Sequence, residues 1–168
     1  MQLKKVPCDA ILYHHRYKAY LKKCPEFLIW PGYKKLTPKG IESLQNIQPV
    51  SVVEDAASES YHLIAGVRTF LAAKVHTPKV ISAIVYDVDE LSGKAIHEII
   101  CADLYLSVLP YVVSKGGMAR LIATSQLIPQ GIWTKWFQDH VTRKHILPQI
   151  LPVTSTHVKK VLSNDNFD

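Results

Sequence analysis

At Gly66 the sequence changes period within a single residue. Upstream, Tyr61-His62-Leu63-Ile64-Ala65 reads as a strand, and downstream Arg68-Thr69-Phe70-Leu71-Ala72-Ala73-Lys74-Val75 is helical by propensity, with Phe70, Leu71 and Lys74 spaced to lay an apolar stripe on a sheet. The strand therefore feeds directly into the helix. A helix begun this way has its first backbone N–H groups unpaired and aimed at one spot, which favours an anion. Gly66 lets the backbone approach closely, Arg68 offers a planar fork suited to phosphate oxygens, and the Thr69 hydroxyl stands beside it. One glycine before a helix is also often a turn and nothing more, so on the motif alone both readings stay open.

The flanking segments extend the pattern. Leu3 to Leu12 reads as a short strand or an extended lead-in, with Pro7 suited to a sheet edge because it cannot donate to a ladder. His14 to Lys23 reads as a short basic helix ended by Cys24-Pro25. Thr37-Pro38 has the form of a helix start, with Ile41 and Leu44 on one face, and Gln48-Pro49 stops that helix. Val50 to Val53 is a β-branched strand, Glu54 to Ser60 a hairpin-like connection, and Val80 to Tyr86 a third, buried strand. After Asp87-Val88-Asp89-Glu90 a long helix is predicted from Leu91 to about Leu109, with Ile96, Ile99, Ile100 and Leu104 at helical spacing and Pro110 closing the unit. The expected fold class is α+β: a small mixed sheet with helices packed on it over residues 1–110, then a helical carboxyl-terminal module over 111–168, interrupted at Gly116-Gly117, Pro129, Pro148 and Pro152.

Gln48-Pro49-Val50-Ser51-Val52, then Tyr61 to Lys74 with its Ala65-Gly66-Val67-Arg68 turn and Ala72-Ala73-Lys74, then Val80 to Tyr86, resembles the amino-terminal domain of the ParB family within the ParB/sulfiredoxin fold. The resemblance covers roughly residues 37–104, with a weaker echo at Val6 to Ile11. It implies phosphate or nucleotide binding at Gly66, Arg68 and, more loosely, Thr69, with CTP or ATP and magnesium as the cofactor. The departures are specific. Val67 stands where the family has glutamate, Thr69 where it has a second arginine, and Leu71 where it has a further basic residue. Of the Glu-Asn-x-x-Arg that meets triphosphate and magnesium, Glu98-Ile99-Ile100-Cys101-Ala102 retains Glu98. These departures count against a CTP-operated clamp. Sulfiredoxins carry their catalytic cysteine directly after this glycine, and Val67 has no thiol, which excludes that chemistry here.

Net charge is +6, and its distribution is uneven: nine Lys/Arg against three Asp/Glu in residues 1–48, four against eight in 49–110, and seven against three in 111–168. Basic ends around an acidic middle are a footprint of polyanion contact, or simply of solvated lysines that keep a protein soluble. No stretch reaches the roughly 18 uncharged apolar residues that a membrane span needs, and the first residues lack the apolar core of a signal peptide. Three scattered cysteines suit free thiols in a reducing, cytoplasmic setting.

The basic candidates for DNA contact are Lys34, Lys35, Arg120, Lys135, Arg143 and Lys144, with Lys159-Lys160 a further pair. Met118 to Gln126, a break at Leu127-Ile128-Pro129, and Gly131 to Phe137 have the outline of a helix-turn-helix that faces Gln130, Thr134 and Lys135 to a groove. Trp133, Trp136 and Phe137 at i, i+3, i+4 read more simply as core packing. Cys8, His14, His15 and Cys24 match no common zinc spacing, so no metal is expected. Asp87, Asp89 and Glu90 are the one carboxylate cluster available for metal-assisted cleavage, and read more simply as a cap on the following helix. His62, just upstream of the turn, is a weak general-base candidate. The expectation is a non-enzymatic DNA-associated protein acting in plasmid or mobile-element maintenance or regulation. The alternatives are a nuclease or nucleotide hydrolase of the same superfamily, and a protein-interaction adaptor or inhibitor.

Overall fold

Five strands pair into one mixed sheet in the computed structural model of the chain: β1 (Gln2–Pro7), β2 (Ile11–Tyr13), β3 (Val50–Asp55), β4 (Ser60–Ala65) and β5 (Val80–Tyr86). Among the described residues eight α-helices accompany them: α1 (His15–Lys23), α2 (Pro38–Ile47), α3 (Val67–Val75), α4 (Gly93–Leu104), α5 (Lys115–Ser125), α6 (Gln130–Phe137), α7 (Arg143–Ile150) and α8 (Ser155–Asn164). The structure describes residues 1–23, 37–76, 78–107, 115–137, 142–151 and 153–164, of which 23, 115–117, 120, 150 and 164 are described by their backbone alone. The chain divides into two compact units, Met1–Asp103 and Leu104–Asp168.

In the first unit the strand order is β1-β5-β3-β4-β2. β1 runs antiparallel to β5, β5 parallel to β3, β3 antiparallel to β4, and β4 parallel to β2. The Leu3–Leu12 run therefore supplies two strands, one at each edge, where the sequence suggested a single extended segment. Pro7 ends β1 at the edge, as expected, and Cys8 to Ala10 form a tight turn closed by the Ala10 N–H donating to the Pro7 carbonyl at 3.3 Å. Four residue steps reach at most about 15 Å, whereas the edges of a flat five-stranded sheet lie about 19 Å apart. The sheet must therefore coil until its two edges approach.

Between Ser51–Ala65 and Val52–Leu63 the register slips, leaving Ile64 as an extra residue on β4 two positions before the glycine. Thr37 caps α2 as predicted, its hydroxyl oxygen accepting the Gly40 N–H at 3.2 Å. From α2 the buried Gln45 carboxamide oxygen accepts the Ser82 N–H of β5 at 3.3 Å. The core gathers Val50, Val52, Leu63, Ile64, Phe70, Ile81 and Ile100, and Tyr13 meets Phe70 edge-on at 5.5 Å. On α3 the buried face is Val67, Thr69, Phe70, Ala72 and Ala73; Lys74, expected on the apolar stripe, is exposed. The acids 87–90 cap a single 3-10 turn, with the Glu90 carboxylate accepting the Asp87 N–H at 2.8 Å, and do not cap the long helix. That helix, α4, begins at Gly93 after a two-residue gap, where the Ser92 hydroxyl accepts the Ala95 N–H at 3.2 Å, and it stops at Leu104 short of the predicted Leu109.

In the second unit α8 packs on α5 and α7, and Leu121, Ile122, Ile128, Trp133, Leu147 and Val158 are buried. Two expected breaks are absent. Gly116-Gly117 lie in the first turn of α5, and Pro148 sits inside α7. Pro148 leaves the carbonyl four residues back, at Lys144, without its helical partner, and Lys144 is exposed, so water can serve that carbonyl. Pro110 and Pro152 lie outside the described residues.

Candidate functional site

β4 delivers the chain to Gly66 at φ 78° and ψ 29°, the left-handed region, and α3 starts at once, with the Phe70 N–H donating to the Gly66 carbonyl at 2.9 Å. Crowding excludes a side chain independently, since a Cβ at position 66 would lie 2.9 Å from the Val50 Cα and 3.3 Å from the Pro49 carbonyl oxygen. The predicted turn geometry is present, with a backbone amide opening the helix.

The anion at this turn is the chain's own. The Val67 N–H donates to Asp103 Oδ2 at 3.2 Å, and the Tyr17 hydroxyl donates to the same oxygen. Arg68 Nη1 donates to the Asp103 main-chain carbonyl at 3.0 Å, joining a guanidinium to the carbonyl end of α4. Val67 and Tyr17 are fully buried. Burial lowers the Arg68 pKa, while the nearby Asp103 and Tyr17 pull it the other way. Burial, followed by the Asp103 charge and hydrogen bond, drives the Tyr17 hydroxyl well above its ordinary range, so it remains a proton donor. Neither Asp103 nor Tyr17 was singled out from the sequence. One local signal existed: an acid in the last turn of a helix opposes the helix dipole and needs a donor from elsewhere.

The other residues expected at this site lie as follows. Thr69 is buried on α3 at 2% exposure, facing the core. Glu98 is half-buried on α4, where its charge helps raise the Cys101 thiol pKa. Beside them, α1 and α4 meet through the Tyr20 hydroxyl, 2.8 Å from His97 Nε2 and 3.4 Å from Cys101 Sγ. Burial dominates here too, raising the Tyr20 and Cys101 pKa values, so both groups are protonated at neutral pH and the cluster holds no ready nucleophile. His62 faces Asp55, 3.7 Å away, at the β3–β4 hairpin. Among the described residues no group of three or more His, Cys, Asp or Glu could hold a metal; Cys8 is buried and Cys24 lies outside the described residues. A shallow cleft of about 570 Å³ lined by Cys8, Asp9, Ile11, Leu12, Lys74, Pro78 and Lys79 involves the opposite, carboxyl end of α3.

The basic candidates separate. Lys34 and Lys35 lie outside the described residues, and Arg120 is placed on α5 by its backbone alone. Lys135, Lys144, Lys159 and Lys160 are exposed on α6, α7 and α8. Arg143 is occupied within the helical unit. Its Nε donates to the Ser125 carbonyl at 2.8 Å, Nη1 to Gln130 Oε1 at 2.6 Å and Nη2 to the Ile128 carbonyl, and the guanidinium lies 4.7 Å over the Trp133 ring. α5 and α6 are joined through residues 126–129, a helix-turn-helix length. Of the side chains expected to face a groove, Gln130 is held by Arg143, the Thr134 hydroxyl donates to the Gln130 carbonyl at 3.1 Å, and Lys135 is exposed. Trp133 is core, as its spacing suggested, with Tyr105 at 5.6 Å and Phe137 at 4.5 Å between ring centroids.

No protein-family model matches the sequence, and no curated protein does. Solved structures do. The chain is similar to ParB. It matches the C-terminally truncated chromosome-partitioning protein ParB of Caulobacter crescentus complexed to the centromeric parS site at 17% identity, over 95% of this chain and 70% of that one, with a TM-score of 0.43. It matches the same protein complexed with CTP-gamma-S at 15% identity, over 99% and 81%, with a TM-score of 0.35. At these values the similarity transfers no residue role. No helix among the described residues is long and apolar enough to cross a membrane.

Proposed function

We propose that this chain is a non-enzymatic DNA-associated protein that contacts duplex phosphates through its helical unit and works without a bound nucleotide. The observation that carries the reading is charge. Residues 111–168 carry seven Lys/Arg against three Asp/Glu, and Lys135, Lys144, Lys159 and Lys160 are exposed on three of the unit's helices. A surface with a net excess of lysine and arginine gains by releasing the counterions condensed on a polyanion. The short α5–α6 connection supplies the outline of a groove-reading pair of helices, with Lys135 its exposed basic residue. Arg143 serves this reading as a positioning residue, because three of its five N–H donors hold the α5–α6 turn. A role in plasmid or mobile-element maintenance or regulation rests on the sequence resemblance of residues 37–104 alone, and a cytoplasmic setting on the scattered cysteines and the sequence pattern.

The test is duplex binding by electrophoretic shift across a salt series, with wild type beside the quadruple charge reversal Lys135→Glu, Lys144→Glu, Lys159→Glu, Lys160→Glu. Four phosphate contacts predict a loss of about 10²-fold in affinity between about 50 and about 200 mM salt, and a slope flatter by about four in the variant. Absence of wild-type binding at the lowest salt refutes the reading.

A further inference from the structure

We propose that the Gly66 turn is a self-liganded anion site, in which the Asp103 carboxylate permanently takes the place of an external oxyanion and makes this unit independent of nucleotide. The inference deepens the nucleotide-free part of the reading above, and its test measures stability of the chain, so it can fail while DNA binding stands.

Three contacts support it. A single carboxylate oxygen of Asp103 receives the amide that opens α3 and the Tyr17 hydroxyl, and Arg68 is bonded to the main-chain carbonyl of the same residue. A helix amino terminus carries partial positive charge and bare N–H groups, the setting in which phosphate or carboxylate binds. The sequence places this acid in the last turn of α4, the negative end of its own helix, where an unpartnered carboxylate is disfavoured. Asp103 thus lies between the negative end of α4 and the positive end of α3, and the second relieves the first. The left-handed Gly66 and the 2.9 Å limit at Val50 fix where the α3 amide points, so the donor is preorganised. The tethered carboxylate competes with any dissolved anion at an effective concentration of about millimolar or higher. Val67 and Tyr17, both fully buried, leave no solvent-exposed donor of theirs for a second anion.

The experiment uses the full chain as wild type, Asp103→Ala and Asp103→Asn. Melting temperature is measured in sodium chloride and, at matched ionic strength, in sodium formate and inorganic phosphate, then with CTP or ATP and magnesium. Wild type is expected to melt alike in chloride, formate and phosphate, and to show no shift with either nucleotide. Asp103→Ala is expected to melt lower in chloride and to regain a few degrees in formate or phosphate, saturably, because an anion bound only to the folded state raises the melting temperature by mass action. A merely structural aspartate gives no such oxyanion-specific recovery. Asp103→Asn keeps the shape and an acceptor oxygen but loses the charge, and is expected to melt below wild type in every salt. The proposal is overturned by nucleotide raising the wild-type melting temperature, by a folded Asp103→Ala indifferent to formate and phosphate, or by Asp103→Asn as stable as wild type. The last readout decides even where the alanine variant does not fold.

Discussion

Gly66 passes so close to Val50 that a Cβ on the glycine would stand 2.9 Å from the Val50 Cα, and it does so at φ 78°, where L side chains are disfavoured. The two constraints are independent, because one concerns backbone torsion and the other the neighbouring strand.

Gly66→Ala is therefore expected to destabilise the protein by about 2–4 kcal/mol, combining left-handed strain with a forced shift of β3 against α3. Gly93→Ala, in the first turn of α4 with nothing within 4 Å of an added Cβ, provides the contrast and should be neutral or slightly stabilising. Urea unfolding of both variants checks this, and equal stability of the two would remove the close approach from the account.

Arg143 offers a second contrast, between holding the helices and holding DNA. Arg143→Ala removes donors to the Ser125 and Ile128 carbonyls and to Gln130, along with the cover over Trp133, and is expected to cost about 2–4 kcal/mol. Arg143→Lys should recover little, since an ammonium cannot match a planar three-way fork over a ring. The near-ultraviolet circular dichroism of the tryptophans is expected to change with the loss. A variant with wild-type stability and spectrum but a reduced salt slope on DNA would instead make Arg143 a phosphate contact.

The distribution of successes along the chain follows the range of the forces involved. The Tyr61–Val75 turn, the Thr37-Pro38 helix start and the Val50 and Val80 strands are set by neighbours within a few residues, and local pattern shows them. Asp103 meets Val67 across 36 positions and Tyr17 across 86, so a local window can show an acid in need of a donor but not that the Gly66 turn supplies it. β2 spans three residues, too few for alternation to register, and depends on β4 for its existence. Arg143-Lys144 reads as an ordinary basic pair; only tertiary packing makes one member a helix staple and leaves the other exposed.

His14 predicts how stability responds to acid. Burial first, then the charges of His15, His62, Arg16 and His97, lower its pKa from 6.5 to about 4. Between those values the unfolded chain binds a proton that the folded chain does not, so stability rises with pH across that window and is lost as pH falls from about 6.5 toward 4. His97, lowered by burial and then by Arg16, acts with the same sign. After discounting for solvent screening of a partly exposed ring, the His14 contribution is on the order of 1 kcal/mol. His14→Gln is expected to flatten the pH dependence of the urea midpoint over this range. An unchanged slope would show that His14 titrates normally in the fold.

Gln45 tests whether α2 is tied to the sheet by a specific polar contact or by packing alone. Its carboxamide oxygen is the acceptor for the Ser82 amide of β5, and both residues are buried, at 4% and 7% exposure. Gln45→Met conserves length and apolar stem but leaves the amide without its acceptor, a loss of about 1–3 kcal/mol. Gln45→Glu retains an acceptor oxygen and adds a charge that must either stay buried or take up a proton, so its stability should fall with rising pH through the carboxylate range, opposite in sign to the His14 effect. Amide hydrogen exchange supplies the local readout. Protection at Ser82 should drop in Gln45→Met beyond what the global stability loss accounts for, and a Ser82 amide that exchanges only with global unfolding in both proteins would mean that the contact carries no weight of its own.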